Sequence, residues 1–420
     1  MYNILILGSG GREHALGWKL DKSPLTDKIY FGPGNAGTAE IGHNLDLSPL
    51  NFTEVHNAVR EYKIDYILVG PEAPLVNGIT DFFRDKEVKV IGPDKAAAQL
   101  EGSKSFANAF MEKYGIPTAA SVDITKQNIE DGYDLIDRTQ GPIVLKADGL
   151  AAGKGVLILK DKAEAKRQLK AMIINTKFGK ASEKVVIEEF LDGIEFSVFV
   201  LTDGKGYQIL PVAKDYKRIG EGDTGLNTGG MGAISPPPFI DDKLMKKVRK
   251  QIIEPTVKGI NSEKFDYKGF IFFGLINVDG QPKVIEYNVR MGDPETEAVI
   301  PRVKSDLMDL FVKLHKGKIG KAELEVKKKT AATIMLVSQG YPEAYEKGKP
   351  ITIDQSIEKS LIFHAGTKQK DYDTVTNGGR VIAVTSLGKD HHTALKKSLN
   401  NLSKIHFEGM HYRKDIGFDL

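Results

Sequence analysis

Residues 286–295 have the sequence Glu-Tyr-Asn-Val-Arg-Met-Gly-Asp-Pro-Glu, and they begin in the second strand of a predicted β-hairpin. Side chains alternate between the two faces of a strand, so Glu286, Asn288 and Arg290 are expected on one face. Three polar side chains on one face are costly to bury unless they find partners. A carboxylate beside an amide oxygen suits Mg²⁺, a hard cation that takes oxygen ligands and leaves positions for phosphates. The stretch therefore predicts a metal site at Glu286 and Asn288.

The hairpin that leads into this stretch has the strongest turn signal in the chain. Asp279-Gly280 separates the apolar segments 270–278 and 283–287, a spacing typical of a two-residue hairpin loop. The same hairpin signal thus predicts the strand on which Glu286 and Asn288 lie.

The N-terminal hundred residues predict a parallel sheet with an anion site at its edge. Short apolar strands alternate with helical segments, which is typical of βαβ units; the strands are expected at 3–7, 28–31, 66–69 and 88–91. Gly8-Ser9-Gly10-Gly11 follows the first strand and precedes a helix, where backbone N–H groups attract anions. The turn is no dinucleotide fingerprint, because Glu13 occupies the third glycine position and no acid follows the second strand. We interpret it as a sugar-phosphate site.

A second phosphate site is predicted between two strands, 143–146 and 156–159. Lys146 ends the first strand, and a loop with three glycines and Lys154 precedes the second. This is not a P-loop, because neither a helix nor Lys-Ser/Thr follows the glycines. A glycine loop between antiparallel strands can still fold over a triphosphate, with backbone N–H groups and lysine neutralising its charge.

Residues 188–195, Glu-Glu-Phe-Leu-Asp-Gly-Ile-Glu, leave a predicted strand as an extended connector. Such a connector offers backbone donors and acceptors to an adenine edge, Phe190 and Leu191 offer apolar surface, and Glu195 can accept hydrogen bonds from ribose hydroxyls. Taken alone, the run is equally compatible with ordinary acidity at a strand end.

The rest of the chain predicts further mixed structure. A helix is expected from the N-cap Ser103 to Tyr114 and another over 243–261. Residues 220–232 contain six glycines and are expected to be irregular, and the lysine-rich stretch 316–329 is expected to be a linker. Strands at 331–337 and 380–385 and a helix at 390–402 complete the pattern.

Composition bounds the possible functions. The chain has 420 residues, enough for two to four domains, and 59 Lys and Arg against 56 Asp and Glu give a net charge of +3. No bulk charge favours nucleic acid or a membrane surface as a partner, and no apolar run approaches a membrane span. The absence of cysteine excludes disulfides, thiolate zinc sites, iron–sulfur clusters and a cysteine nucleophile. A cytoplasmic location is expected. The histidine spacing does not match a zinc hydrolase, and no G-x-S-x-G nucleophile motif occurs.

The order of these features resembles the ATP-grasp superfamily: a glycine turn, a strand lysine, a glycine loop, a Glu-Glu-Phe-Leu connector and Glu-x-Asn-x-Arg. Four motifs closely resemble the glycinamide ribonucleotide synthetase family within it, and the similarity runs over essentially the whole chain to residues 412–417. The motifs are Gly-Gly-Arg-Glu-His at 10–14, Gly-Pro-Glu-Ala-Pro-Leu at 70–75, Asn-Thr-Gly-Gly-Met-Gly at 227–232 and Arg-Met-Gly-Asp-Pro-Glu at 290–295.

The resemblance implies an α/β and α+β multidomain protein. A Rossmann-like N-terminal domain is expected at 1–102, an ATP-grasp domain whose lobes clasp the nucleotide at 103–325, with a lid at about 119–192, and a small C-terminal domain at 326–420. The implied reaction converts ATP, glycine and 5-phosphoribosylamine into ADP, phosphate and glycinamide ribonucleotide through glycyl phosphate, as a step of purine biosynthesis. Mg²⁺ or Mn²⁺ is the implied cofactor, the implied partners are these small molecules, and a monomer is expected. The alternative is an ATP-grasp carboxylate–amine ligase with a different acceptor.

The resemblance also implies roles for individual residues. The ATP-binding set is Lys104, Lys146, Gly153, Lys154, Gly155, Glu188, Phe190, Leu191 and Glu195. The substrate-binding set is Gly10, Gly11, Arg12, Glu13, Glu72, Asp215, Asn227, Gly230 and Arg290. The catalytic set is Arg290, Lys214 and Asp293, and the metal ligands are Glu286 and Asn288. Relatives often carry an acidic ligand or an arginine on the strand 270–278, which has no charge here. The third metal ligand therefore stays open, and Lys214, Lys217 or Arg290 must supply the positive charge.

Overall fold

The computed structural model of this chain describes residues 1–150, 155–177 and 179–420. The strands are β1 Tyr2–Gly8, β2 Thr26–Pro33, β3 His43–Asn44, β4 Tyr66–Val69, β5 Lys89–Pro93, β6 Ser121–Thr125, β7 Ile143–Ala147, β8 Val156–Leu159, β9 Lys184–Glu188, β10 Ile194–Thr202, β11 Tyr207–Ile209, β12 Lys214–Asp215, β13 Arg218–Gly220, β14 Thr224–Asn227, β15 Gly232–Ser235, β16 Tyr267–Val278, β17 Gln281–Asn288, β18 Thr330–Ser338, β19 Thr352–Ile353, β20 Ser360–His364, β21 Thr367–Lys370, β22 Asp373–Thr376, β23 Arg380–Gly388, β24 Ile405–His406 and β25 Met410–His411.

The α-helices are α1 Gly11–Leu20, α2 Phe52–Glu61, α3 Glu72–Val76, α4 Ile79–Phe83, α5 Gln99–Gly102, α6 Lys104–Lys113, α7 Ile129–Arg138, α8 Lys162–Ile173, α9 Asp242–Val248, α10 Glu254–Ser262, α11 Glu295–Val299, α12 Leu307–His315 and α13 His391–Leu402. A π-helical turn, Arg249–Ile253, joins α9 to α10. In the described ranges, no helix combines the length and the apolar character needed to cross a membrane.

The N-terminal region is the predicted parallel sheet. Strands β3, β2, β1, β4 and β5 lie side by side in that order and all pair in parallel. Residues 4–7 of β1 have no solvent exposure, as expected for a strand covered on both faces. Because the strands are parallel, their carboxyl ends meet at one edge, and the glycine turn after β1 lies there.

Strand β16 extends this sheet into the next domain. Its first two residues pair antiparallel with Gly92 and Pro93 of β5, and the remainder pairs with β10 and β17. Within the described residues the resulting sheet has nine strands. The predicted hairpin is confirmed: β16 and β17 are joined by Asp279 and Gly280, whose φ angles of 49° and 77° match a type I′ turn.

The predicted lid region forms a separate small unit. Strands β6, β9, β7 and β8 make an antiparallel sheet, and helices α7 and α8 pack on it around a core that includes Ile124, Ile143 and Leu169. The glycine loop lies between β7 and β8 as expected. Gly153 and Lys154, predicted to bind ATP, fall outside the described residues, whereas Gly155 directly precedes β8.

The C-terminal region shares its sheet with the preceding region. Strands β18, β23 and β20 continue through β15 to β12, and α13 packs on β18 and β23. The region also docks on the N-terminal sheet, because the His364 N–H donates to His14 Nδ1 at 2.9 Å and Asn35 Nδ2 donates to the His364 carbonyl at 2.8 Å. Burial lowers the pKa of His14 to about 3, so this imidazole is a neutral acceptor at pH 7.

The expectation that residues 220–232 are irregular was wrong. Residues 220–232 include β14, which pairs with β13, because Gly222 and Gly225 have φ angles of 62° and 79° that reverse the chain between and within the strands. The stretch 316–329, expected to be a linker, connects α12 to β18, and Gln208 Nε2 holds it by donating to the carbonyls of Ile319 and Ala322 at 3.1 and 2.7 Å.

Candidate active site

The N-terminal glycine turn is built around the carboxylate of Glu13, whose residue is 1% exposed. Its Oε2 accepts the Gly10 N–H at 2.6 Å, and its Oε1 accepts Arg12 Nε at 2.6 Å. A Cβ at Gly8 or Gly70 would overlap this carboxyl group, so packing alone demands both glycines. The N–H groups of residues 11–13 open helix α1 and have no acceptor among the described residues, which leaves them available to an anion.

Arg12 links this turn to the 290–295 motif. Its Nη1 donates to the Met291 carbonyl at 3.2 Å. Burial opposes its charge, yet the carboxylates of Glu13, Asp293 and Glu72 hold the pKa of Arg12 above its ordinary value. Arg12 is therefore a permanent cation enclosed by acids. Its side chain holds the turn and the 290–295 motif together and is not free to bind a ligand.

Arg290 lies at the boundary between the two regions. Its Nη2 is 2.7 Å from Glu101 Oε1, and its Nε is 3.5 Å from Glu72 Oε2. Burial raises the pKa of Glu101 to about 7, although Arg290 acts in the opposite direction. Burial also opposes the charge of Glu72, but Arg290 and then Arg12 bring the pKa of that carboxyl below its ordinary value.

Glu286 and Asn288 lie together on β17, as predicted. Asn288 is buried, and its Nδ2 has no hydrogen-bond partner. Burial opposes the charge of Glu286, but Lys217, Lys104 and Lys146 lower its pKa overall. The Glu286 carboxylate and the Asn288 side-chain oxygen are oxygen donors on one face of β17, which fits a hard cation, whereas the unpaired Nδ2 calls for an acceptor from a bound molecule. Across the ranges that the structure covers, no cluster of three His, Cys, Asp or Glu side chains is arranged for a metal. A cation here would take its other ligands from a bound molecule.

The lid contributes a buried ion pair next to this strand. Lys146 Nζ is 2.6 Å from Glu188 Oε2, and both side chains are less than a tenth exposed. The same Nζ donates to the Ile285 carbonyl at 3.1 Å, one residue before Glu286. Two residues predicted to bind ATP are thus in contact with each other and with the predicted metal strand.

A second group of acids and lysines comes from β10, from the segment 214–217 and from α11. Lys217 Nζ is 2.6 Å from Glu195 Oε2. Burial raises the pKa of Asp215, and burial together with the Asp215 charge raises the pKa of Glu295 to about 8. Lys214, by contrast, pairs with Asp419 at 3.1 Å.

The C-terminal region closes the site through Arg380. Its Nη2 is 3.0 Å from Asp293 Oδ1, and its Nη1 donates to the carbonyls of Asp293 and Gly229 at 2.7 and 2.5 Å. Glu297 lies nearby, is completely buried, and neither of its carboxyl oxygens has a hydrogen-bond partner. Burial, reinforced by Asp293, raises the pKa of Glu297 well above its ordinary value.

Comparison with known proteins gives a consistent result over the whole chain. Residues 2–101, 102–296 and 331–419 match the N domain, the ATP-grasp (A) domain and the C domain of phosphoribosylglycinamide synthetase. The chain is 44% identical over 421 residues to a phosphoribosylamine–glycine ligase of Pasteurella multocida, with 99% of this chain and 97% of the relative covered. The chain belongs to the phosphoribosylglycinamide synthetase family.

Solved structures agree with this assignment. The crystal structure of a phosphoribosylamine–glycine ligase from Thermotoga maritima has a TM-score of 0.87 and 38% identity, covering 98% of this chain and 99% of that one. A biotin carboxylase complex from Campylobacter jejuni shares the fold alone, with a TM-score of 0.73, 17% identity, and coverage of 99% and 94%. The predicted family, the mixed multidomain ATP-grasp fold and the class of enzyme, an ATP-dependent ligase, are confirmed.

The structure brings together many of the residues predicted from the sequence. One group surrounds Glu286 and comprises Lys104, Lys146, Asn288 and Arg290, with Glu188 paired to Lys146 and Glu72 close to Arg290. A second group surrounds Asp293 and comprises Gly10, Gly11, Arg12 and Glu13, with Gly230 packed against Pro294. Phe190 and Asn227 are exposed on their own segments, and Lys214 faces Asp419 instead of Glu286. The roles of all these residues remain predictions.

Sequence reasoning missed several residues of this phosphoribosylglycinamide synthetase site. Glu295 and Glu297 belong to the acidic run after Arg290, but residues two apart on a helix do not share a face, so only the complete burial of α11 shows that both are inside. Lys217 was considered as a source of charge but was not selected. Glu101 and Arg380 come from distant segments, and nothing local marks them.

Removing Lys146 is expected to weaken ATP binding. Lys146→Ala eliminates one charged hydrogen-bond donor, so the affinity should fall by roughly 1.5–3 kcal/mol, measured by calorimetry. Lys166→Ala, which removes a lysine paired with Asp137 on the lid surface, is the matched control and should bind ATP normally. Unchanged ATP affinity in a folded Lys146→Ala protein would contradict the assignment.

The buried acids predict a dependence of stability on pH. Because the pKa of Glu295 is raised to about 8, its contribution to stability is complete below its unfolded-state value and is lost as the pH rises through 8. The thermal midpoint of the wild type should therefore decrease between pH 6 and 9 more steeply than that of Glu295→Gln, which stays neutral. The exposed control Glu323→Gln should follow the wild type. Equal slopes for the wild type and Glu295→Gln would show that Glu295 does not titrate in this range.

Proposed function

We propose that this chain joins glycine to 5-phosphoribosylamine at the expense of ATP, giving glycinamide ribonucleotide, ADP and phosphate. One observation carries the placement of the reaction. Of the ten buried side-chain nitrogen and oxygen atoms that lack a hydrogen-bond partner in the described residues, five belong to residues 288–297, and three of these five, Asn288 Nδ2 and both Glu297 carboxyl oxygens, are in no ion pair either. Folded proteins rarely leave such atoms unsatisfied, and exceptions concentrate where ligands bind. Family membership supplies the identity of the substrates.

The chemistry requires two steps. A glycine carboxylate oxygen attacks the γ-phosphorus of ATP, ADP leaves, and glycyl phosphate forms. The amine nitrogen of phosphoribosylamine then attacks the acyl carbon, phosphate leaves, and the amine loses a proton. Phosphoryl transfer of this kind depends on positioning and on neutralisation of charge rather than on covalent catalysis by the protein. Water must be excluded, because glycyl phosphate hydrolyses readily.

For ATP, Lys146 and Lys104 neutralise phosphates, and Glu188 with the connector at 189–191 holds the adenine. Glu195 receives the ribose hydroxyls. The buried pair of Lys146 and Glu188, 2.6 Å apart, supports this assignment because each charge is held in place before the nucleotide arrives. Gly153, Lys154 and Gly155 complete the ATP-binding set that the family resemblance implies.

For the other substrates, Arg290 binds the glycine carboxylate and the γ-phosphate. Asp215 and Glu295 receive the glycine ammonium group, since Glu295 is buried and Asp215 is partly buried, both have a raised pKa, and a cation relieves their mutual repulsion. The N–H groups of Gly11 and Arg12 bind the 5-phosphate of the acceptor, and Glu72 contacts its ribose. Asn227, Gly230 and Asp293 complete this side, where Arg380 fixes the position of Asp293.

Glu286 and Asn288 would hold Mg²⁺ or Mn²⁺, which when bound neutralises charge on the ATP phosphates. Lys217 replaces Lys214 in our assignment of the nearby cation, because the charge of Lys217 acts on Glu286 while Lys214 is paired with Asp419.

The domains extend over about 1–102, 103–325 and 326–420. We further infer a monomer in the cytoplasm, consistent with the lack of cysteine; sedimentation velocity gives the oligomeric state.

The reaction is tested by omission of substrates. Phosphate release should require ATP, glycine and phosphoribosylamine together, with the amine generated from ribose 5-phosphate and ammonia in the same vessel. Mass spectrometry should detect glycinamide ribonucleotide. Release that requires ATP and glycine but is unaffected by the acceptor would favour a ligase with a different acceptor. No glycine-dependent release under any condition would contradict the proposal.

The metal assignment is tested at β17. Glu286→Gln keeps the shape of the side chain and removes a ligand charge, so activity should fall by at least ~10²-fold, while the melting temperature changes little. Asn288→Ala should lose less activity and respond more to raised Mg²⁺ or Mn²⁺. Mn²⁺ binding, followed by electron paramagnetic resonance in the presence of ADP, should weaken in both variants. Near-normal turnover and Mn²⁺ binding in Glu286→Gln would refute the site.

A further inference from the structure

Arg290 is held by carboxylates that come from another domain. Glu101 belongs to α5 and Glu72 to α3, both within the part of the chain that matches the N domain. Arg290 follows β17, within the part that matches the ATP-grasp domain. The guanidinium that faces the predicted reaction centre is therefore positioned from outside its own domain.

The two carboxylates hold Arg290 differently. Glu101 has a side chain 5% exposed and uses both oxygens: Oε1 lies 2.7 Å from Arg290 Nη2, and Oε2 accepts the Val289 N–H at 2.8 Å. Glu72 has a side chain 29% exposed and lies 3.5 Å from Arg290 Nε, an atom that makes no hydrogen bond. Glu101 thus fixes both the backbone and the side chain at 289–290, whereas the contact with Glu72 is loose.

We propose that Glu101 is a positioning residue of the ligase, which acts through Arg290 and makes no contact with substrate itself. This inference rests on the proposed function, because the role of Arg290 is part of it. With Nη2 fixed by Glu101 and Nη1 3.3 Å from the Met291 carbonyl, the guanidinium plane has one orientation. The contact between Glu72 and Arg290 Nε is then the one that a substrate can replace when it binds Arg290.

Burial explains why the pair is specific. A buried carboxylate without a cation pays the full cost of desolvation, and the same applies to a buried guanidinium. The groups that face Glu101 are Arg290, Glu72, Glu286 and the Tyr267 ring. Among the described residues that face Glu101, Arg290 is the one cation, so Glu101 and Arg290 depend on each other. Positional errors of about 1 Å in such a group cost roughly 10²-fold in rate.

The test compares Glu101→Gln with Arg290→Lys and with the double variant. Glu101→Gln retains an oxygen for the Val289 N–H but loses the charge that orients Arg290. We expect kcat for glycine-dependent phosphate release to fall by about 10–100-fold, while the KM for ATP changes less than about 2-fold. The double variant should have a kcat within about 2-fold of that of Arg290→Lys alone, because Glu101 acts through Arg290. Glu87→Gln, an exposed charge loss in the same domain, is the control.

A second measurement does not depend on catalysis. The Nε–H resonance of Arg290 in ¹⁵N-arginine-labelled protein, identified by its loss in Arg290→Lys, should shift in Glu101→Gln and stay in place in Glu87→Gln. An unmoved resonance, a normal kcat for Glu101→Gln, or losses that multiply in the double variant would each overturn the inference. A wild type without glycine-dependent activity would refute the proposed function alone, since the resonance still reports whether Glu101 positions Arg290.

Discussion

The pairing of β16 with β5 is the constraint on which the site depends. The first two residues of β16 pair with Gly92 and Pro93, and the same strand continues alongside β17. Ladder hydrogen bonds fix the register of both strands, so the end of β17 has a defined position relative to the carboxyl ends of the N-terminal sheet. The contacts of Arg290 with Glu72 and Glu101 follow from this register.

Electrostatics explain why such a rigid arrangement is needed. The site pairs each of several largely buried cations with a buried carboxylate, as in Lys146–Glu188 and Arg290–Glu101. Each pair offsets a desolvation cost that either charge alone could not bear, and loss of one partner costs about 3–5 kcal/mol. Charges held in this way need not reorganise when a triphosphate arrives, which is the main source of catalysis in phosphoryl transfer.

The sequence was sufficient for features that depend on local patterns. The β16–β17 hairpin, the N-cap Ser103 and the parallel strands all follow from turn residues and hydrophobic spacing, and the structure has them. The Glu286–Asn288 pair follows from alternation along one strand. Features that depend on distant segments could not be derived. Glu101 and Arg380 acquire their significance only when a domain packs, and the hairpin at 218–227 needed knowledge of which glycines adopt positive φ.

The glycine motifs show how packing and ligand binding can be confused. A Cβ at Gly11 would overlap the Glu297 carboxyl group, and one at Gly10 would crowd Glu13 and Asp293. These glycines are therefore required first by carboxylates of the protein. The predicted anion site at the start of α1 shares that packing, because the N–H groups that follow, those of residues 11–13, have no acceptor among the described residues. One set of glycines thus accommodates the buried acids and leads into the unpaired donors, so a substitution there would disturb both at once.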